Sequence, residues 1–295
     1  MKNKGIGMIQ AVSRIGHVNN VGEMSTMVQL FMYEKTIIHS ITHNLKAVTY
    51  WRQADTKELE KVQAKLLRML LKLPEGAPYW GILNELGIWP LTAIVHYKRF
   101  MLYQNLITSD DERRAKRLIQ YQKEFMIDGS WYEGLDIISK EYGINLNSDI
   151  IKIKSKWKTY VKSKIRAKLK TDSESKKNSM TKLRHQRKQE FCMQKYVNNT
   201  SITRIGDLLR VKLELLDVGK NQGHENRKCY CCNLENETTE HITSCSEVCE
   251  ATQMDSIEWN EEMMSDRNHL QRMYQIIKRY IRIREKSEMI NTQVE

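Results

Sequence analysis

The chain has 295 residues, 40% of them hydrophobic, and a formal net charge of +12, enough for one large or two modest domains with a sizeable core. No apolar run approaches the roughly 18–20 residues that cross a bilayer, and Met1-Lys2-Asn3-Lys4-Gly5 has no apolar core behind it, so a membrane protein and a secretory signal are not expected. Three prolines and 13 glycines among abundant Lys, Glu, Leu and Met predict a mostly α fold. Residues 151–190 carry 15 Lys or Arg against 3 Asp or Glu, so this segment alone accounts for the net charge. A basic segment on a balanced body is the electrostatic footprint of a polyanion partner.

In chain order, Met27, Leu30, Phe31, Glu34, Ile37, Ile38 and Ile41 recur at a helical period. Asp55 and Glu58 have capping-box spacing, and Leu59, Val62, Leu66, Met69 and Leu70 form an apolar stripe. That helix is expected to run to Leu73, since Pro74 disfavours helical geometry in the residue before it. A short helix from about Pro78 to Leu86 with Gly87 as its C-cap follows, then a long one from about Leu91 to Thr108. Ser109 and Glu112 are expected to cap the next helix. Thr108-Ser109-Asp110-Asp111 superficially resembles the paired aspartates that hold magnesium in polymerases. Such a pair sits between apolar strands, whereas here a charged helical pattern follows, and capping is the better reading.

Breaks are expected near Asp128-Gly129 and Tyr142-Gly143. The stretch from Ile151 to Tyr160 alternates strictly, but the pattern relaxes to Val161, Ile165 and Leu169, which favours a basic helix. Residues 171–180 are polar and read as a linker. A second basic helix over about 181–196, an amphipathic one from Ile205 to Leu216, an acidic patch at Glu258–Glu262 and a last helix over about Asp266–Lys286 complete the chain. The divisions that follow are 1–127, 128–218, 219–250 and 251–295.

Five of the six cysteines fall between Cys229 and Cys249. Cys229 and Cys232 have C-x2-C spacing; His241 and Cys245 lie four apart, about one helical turn. Such a Cys3His set suits one tetrahedral, structural zinc ion with no open position for chemistry. It also favours a reducing, intracellular compartment over a disulfide framework. Cys249 rivals Cys245 as the fourth ligand, and Cys231 competes with Cys232.

Tyr33-Glu34-Lys35 with Ile37-Ile38, Leu59-Glu60-Lys61-Val62-Gln63, Leu73-Pro74 with Ala77-Pro78-Tyr79, and Glu85-Leu86-Gly87-Ile88 occur in this order ahead of the Cys/His run, where Glu240 precedes His241. Together they resemble the region after the polymerase core of non-LTR (LINE-type) retrotransposon reverse transcriptases. The resemblance covers roughly residues 5–250. It implies a helical thumb and connector, a basic helical middle and a small CCHC zinc knuckle, with the chain starting downstream of the catalytic palm and lacking the endonuclease. No catalytic residue is therefore assigned.

The expected partners are RNA or DNA, and a full-length reverse transcriptase. Lys152, Lys154, Lys156, Lys158, Lys162, Lys164, Arg166, Lys168 and Lys170 are expected on phosphates. Lys182, Arg184, Arg187 and Lys188 extend that surface, or serve nuclear import; nucleus and cytoplasm are both open. Trp157 and Tyr160 are expected to stack on unpaired bases, with core packing the alternative for Trp157. Arg227 and Lys228 supply charge beside the knuckle, unless the metal only closes the local fold. The alternatives are an enzyme built on Asp110, Asp111 and Glu258–Glu262, or a helical interaction protein or remnant with a purely structural zinc site. Losing a palm is expected to expose Phe31, Trp51 and Trp89.

Overall fold

A computed structural model describes residues 26–48, 53–179, 193–197, 202–219, 223, 226–257 and 266–292. Among them the fold is mostly α, and the extended structure is one antiparallel bridge, Lys228 to Asn236. Residues 181–192, with Lys182, Arg184, Arg187 and Lys188, lie outside the described residues, as do Trp51 and the acidic patch.

The helices are α1 (Thr26–Met32), a π-helical turn (Tyr33–Ile38), α2 (His39–Thr42), α3 (Gln53–Leu71), α4 (Tyr79–Leu86), α5 (Leu91–Ile107), α6 (Arg114–Glu124), α7 (Trp131–Tyr142), α8 (Lys154–Ser179), α9 (Ile202–Lys212), α10 (Thr239–Ser244), α11 (Ser246–Thr252) and α12 (Arg267–Thr292). Local chemistry sets several ends. Gly87 takes a left-handed φ of 65° and closes α4, a conformation that costs glycine nothing. Gly143 ends α7 in the same way, and the Ser130 hydroxyl caps its start.

Five expectations need correction. Asp55 lies inside α3, which begins two residues earlier, and Lys72 at φ 53° ends that helix ahead of Pro74. The amides of Lys72 and Leu73 bond back to Met69 and Arg68, so backbone closure acts before the proline. Ser109 caps no helix. Its hydroxyl donates to the Leu106 carbonyl, and α6 starts at Arg114 after a turn pinned by Lys116, which reaches the Ser109 carbonyl and Asp111. Residues 171–179 are not a linker but the last turns of α8. They are held by a Lys168–Asp172 pair at 2.8 Å and an Asn84–Ser173 hydrogen bond. Leu213 and Leu216 lie beyond α9, which is closed by Glu214 at φ 52°. The final helix runs six residues past Lys286, to Thr292.

Packing groups the chain differently from the expected divisions. One core joins Leu30–Val95 to Tyr196–Tyr280, including Cys229, Cys245 and the apolar stripe of α12. A second core holds the rest of α5 with α6, α7 and α8. Helix α9 links the first core's two halves, packing on both α3 and α12. The approach is close: a Cβ on Gly206 would stand 2.1 Å from the Leu71 carbonyl oxygen. His96 is packed in the second core, with its ring beside the Tyr142 hydroxyl at 3.1 Å. Burial, then Arg99, holds its pKa down to about 3. Among the residues expected to be laid bare, Phe31 is exposed and Trp89 is half-buried.

Candidate metal centre and nucleic-acid interface

In the C-terminal lobe, from Asp217 onward, the Cys229 amide bonds to the Glu235 carbonyl across a tight turn, with the Asn233 amide returning to the Cys229 carbonyl. This turn carries Cys229 and Cys232. Thr238 caps α10 by accepting from the His241 amide, and Cys245 follows the end of that helix with its own amide on the His241 carbonyl. A turn and a capped helix thus present four donors to one point.

The ligand atoms of Cys229, Cys232, His241 and Cys245 all lie within 4.8 Å of one another, so the set can hold a metal ion. A tetrahedral zinc with bonds of about 2.0–2.3 Å asks for donors in this range. Cys245, not Cys249, completes the group, and Cys231 stands outside it.

The surroundings fit a cation. The Nε2 of His241 faces the Cys232 sulfur at 3.3 Å, and its Nδ1 lies 3.0 Å from the Glu235 carboxylate. A carboxylate on the second ring nitrogen fixes the tautomer and orients the ligand. Burial opposes ionisation of Cys232, but the amides of Glu235 and Leu234, with His241 and Cys229, outweigh it and bring the thiol down to about 7. Burial pushes Cys229 up, and Cys245 to about 12. Three thiols this close resist joint ionisation unless a cation sits among them.

Helix α12 backs the site. The Tyr280 hydroxyl accepts from the Tyr230 amide at 2.9 Å. Glu237, fully buried, receives Arg284 at 2.5 Å and Arg227 at 2.8 Å, and Arg284 also reaches Asp217 at 2.5 Å. Glu235, Glu237 and Arg284 are site residues that sequence reasoning missed. Glu235 lies inside the motif and had a readable signal, a carboxylate between ligands; the pairing of Glu237 with Arg284 across 47 positions had none.

The expected nucleic-acid residues divide sharply. Trp157 is fully buried and donates its indole N–H to the Phe100 carbonyl at 3.2 Å, so of its two readings the core holds. Tyr160 is half-buried, its ring near Trp157 and its hydroxyl accepting from the Asn145 amide. Arg227 is committed to Glu237 and is not a free cation, whereas Lys228 is exposed with its ammonium on the Leu234 carbonyl. Lys152 pairs with Asp149 and Lys168 with Asp172. Lys162 and Lys164 are half-buried over the rings of Tyr97 and Tyr160. Lys154, Lys156, Lys158, Arg166 and Lys170 are exposed, with no ion-pair partner among the described residues.

Helical spacing explains the division. Trp157, Val161, Ile165 and Leu169 recur every four residues and face the second core. Lys156, Arg166 and Lys170 lie on the opposite side, along about 20 Å of helix at 1.5 Å per residue.

No protein-family model, curated protein or solved structure matches the chain. No helix among the described residues is long and apolar enough to cross a membrane.

Proposed function

We propose that this chain binds RNA or DNA through the outer face of α8, and that its Cys3His cluster holds one structural zinc ion. The observation that carries the reading is the row of exposed cations Lys154, Lys156, Lys158, Arg166 and Lys170, without an ion-pair partner among the described residues, on a helix anchored by its apolar stripe. A rigid row of this kind suits phosphates, whose contacts position a strand without reading its sequence. The sequence resemblance gives the partner a setting. The chain corresponds, in this reading, to the thumb, connector and zinc-knuckle region of a non-LTR reverse transcriptase, and meets a full-length polymerase on the same nucleic acid.

The reading gives the chain itself no polymerase step. Asp110 and Asp111 are not buried and lie in a turn between helices, with Asp111 held by Lys116. The metal's role here is to close the lobe. Cys229 and Cys245 belong to the main core, and Arg227 beside them is consumed by Glu237, which favours a staple over a nucleic-acid grip. When bound, zinc supplies the charge that lets the thiolates coexist.

Anisotropy of a labelled structured RNA, titrated with zinc-loaded protein at rising salt, tests the reading. Affinity should fall linearly on a log–log scale, with a slope of about −0.7 to −0.9 per phosphate neutralised. Absence of binding at low salt would sink it.

A further inference from the structure

One edge of α8, where Lys162 lies beside Arg166 at the border of the outer face, opens on a cleft of about 400 Å³. Its far wall is the π-helical turn with Lys35 and the first residue of α2, His39, and its floor is Trp89, just ahead of α5, with Tyr97 and Lys98 on that helix. Its volume falls within the roughly 300–1,000 Å³ of small-ligand pockets.

The lining is unusual in two independent ways. Four cations, Lys35, Lys98, Lys162 and Arg166, meet across three elements, with Glu34 the one carboxylate among the described residues that line the cleft. Lys162 feels the crowding: burial, then Lys158, Arg166 and Lys35, hold it below the usual lysine range. Burial and then Lys46 do the same to Lys98. Like charges gathered in this way cost free energy that an incoming anion relieves. The second feature is aromatic. Trp89 and Tyr97 stand edge to face with ring centres 6.1 Å apart, both half-buried, and Lys162 sits 5.9 Å above the Tyr97 ring.

A ligand satisfying both features carries a phosphate and a flat ring on one frame. We propose that this cleft takes an unpaired nucleotide, with its phosphate among Lys35, Lys162 and Arg166 and its base against Trp89 and Tyr97. The inference rests on the nucleic-acid reading above and deepens it. Lys156 and Lys170 on the outer face would follow a strand's backbone, and the cleft at the helix edge would receive a nucleotide that has left the stack. Base stacking on an aromatic platform tolerates any sequence, so the site selects unpaired strand over duplex.

The test uses the full chain and a short fluorescent oligouridylate carrying one 5-iodouridine, beside a duplex of equal length. Photocrosslinks should map to Trp89 or Tyr97. Lys35→Glu, a change at an exposed position, should weaken the single strand roughly tenfold while duplex affinity moves less than about twofold. Lys170→Glu should do the reverse. Lys162→Gln should reproduce the Lys35→Glu effect by a separate route, and circular dichroism checks that each variant folds. AMP competing with the strand identifies free nucleotides as a source of the ligand; a strand that resists AMP identifies unpaired nucleic acid. Crosslinks elsewhere, or single-strand affinity indifferent to both cleft changes, would overturn the proposal while leaving duplex binding, and the reading above, intact. Loss of all nucleic-acid binding by the unaltered protein would remove both.

Discussion

Helix α8 and the C-terminal lobe use the same residue types in opposite ways. On α8 the lysines and arginines stand outside an apolar stripe, and most have no ion-pair partner among the described residues. In the lobe Arg284 is almost completely buried between Glu237 and Asp217, and Arg227 joins the same carboxylate. Lys212 is likewise buried, on Glu85 at 3.1 Å, with the Tyr196 hydroxyl on that same carboxylate at 2.7 Å. An exposed cation keeps its water and contributes little to stability, so it is free to exchange that water for a phosphate. A buried one has lost its water and depends on its partner. Charge count therefore says little about binding until burial is known.

The sharpest way to break this comparison is to remove the metal ligands. Cys229→Ser or Cys232→Ser should abolish one-to-one zinc uptake and lower the thermal midpoint of the zinc-loaded protein by many degrees, since structural zinc in small domains contributes on the order of 10 kcal/mol. Cys231→Ser should leave uptake unchanged. Equal loss from Cys231→Ser would contradict the placement of Cys231 outside the cluster.

Arg284→Met comes next. It leaves the buried Glu237 carboxylate with Arg227 alone and its other oxygen unpaired, and urea unfolding should show a loss of about 3 kcal/mol. The double change with Glu237→Gln should recover part of that loss; a pair of purely additive effects would argue against the buried ion pair.

Gly206→Ala should cost about 1–3 kcal/mol, because a methyl there meets the Leu71 carbonyl and forces α9 off α3. On helix propensity alone the same change should stabilise by up to about 1 kcal/mol, so the sign of the measured shift decides.

The smallest effect on stability belongs to α8. Lys156→Glu and Lys170→Glu should leave unfolding within about 0.5 kcal/mol of the original. Each should flatten the salt dependence of RNA binding by roughly one unit of slope.

Much of the local architecture was legible. Helical periodicity found the main apolar stripes, and Gly87 and Gly143 mark ends where backbone geometry is dictated within a few residues. The four metal-compatible residues were legible too, since a turn and a capped helix are short-range structures with their own spacing. The misreadings came where a distant partner or a competing local acceptor decided. Polar residues 171–179 read as a linker because nothing local shows Ser173 meeting Asn84, 89 positions away. Ser109 and Glu112 have capping spacing, yet the Ser109 hydroxyl had a nearer acceptor on the preceding helix.

From its own pattern the sequence determined a mostly helical tendency, the apolar stripes of the main helices and a Cys3His set with metal spacing. These depend on contacts within one or two turns, where sterics and periodicity act without reference to the rest of the chain. Only the tertiary structure decided which charges are spent inside and which stay available. Arg227 and Lys228 are neighbours in a basic stretch, but one is drawn to a carboxylate that α12 buries and the other is left in water. Burial depends on elements tens of residues apart coming together, and the free energy of a charge follows burial more than sequence.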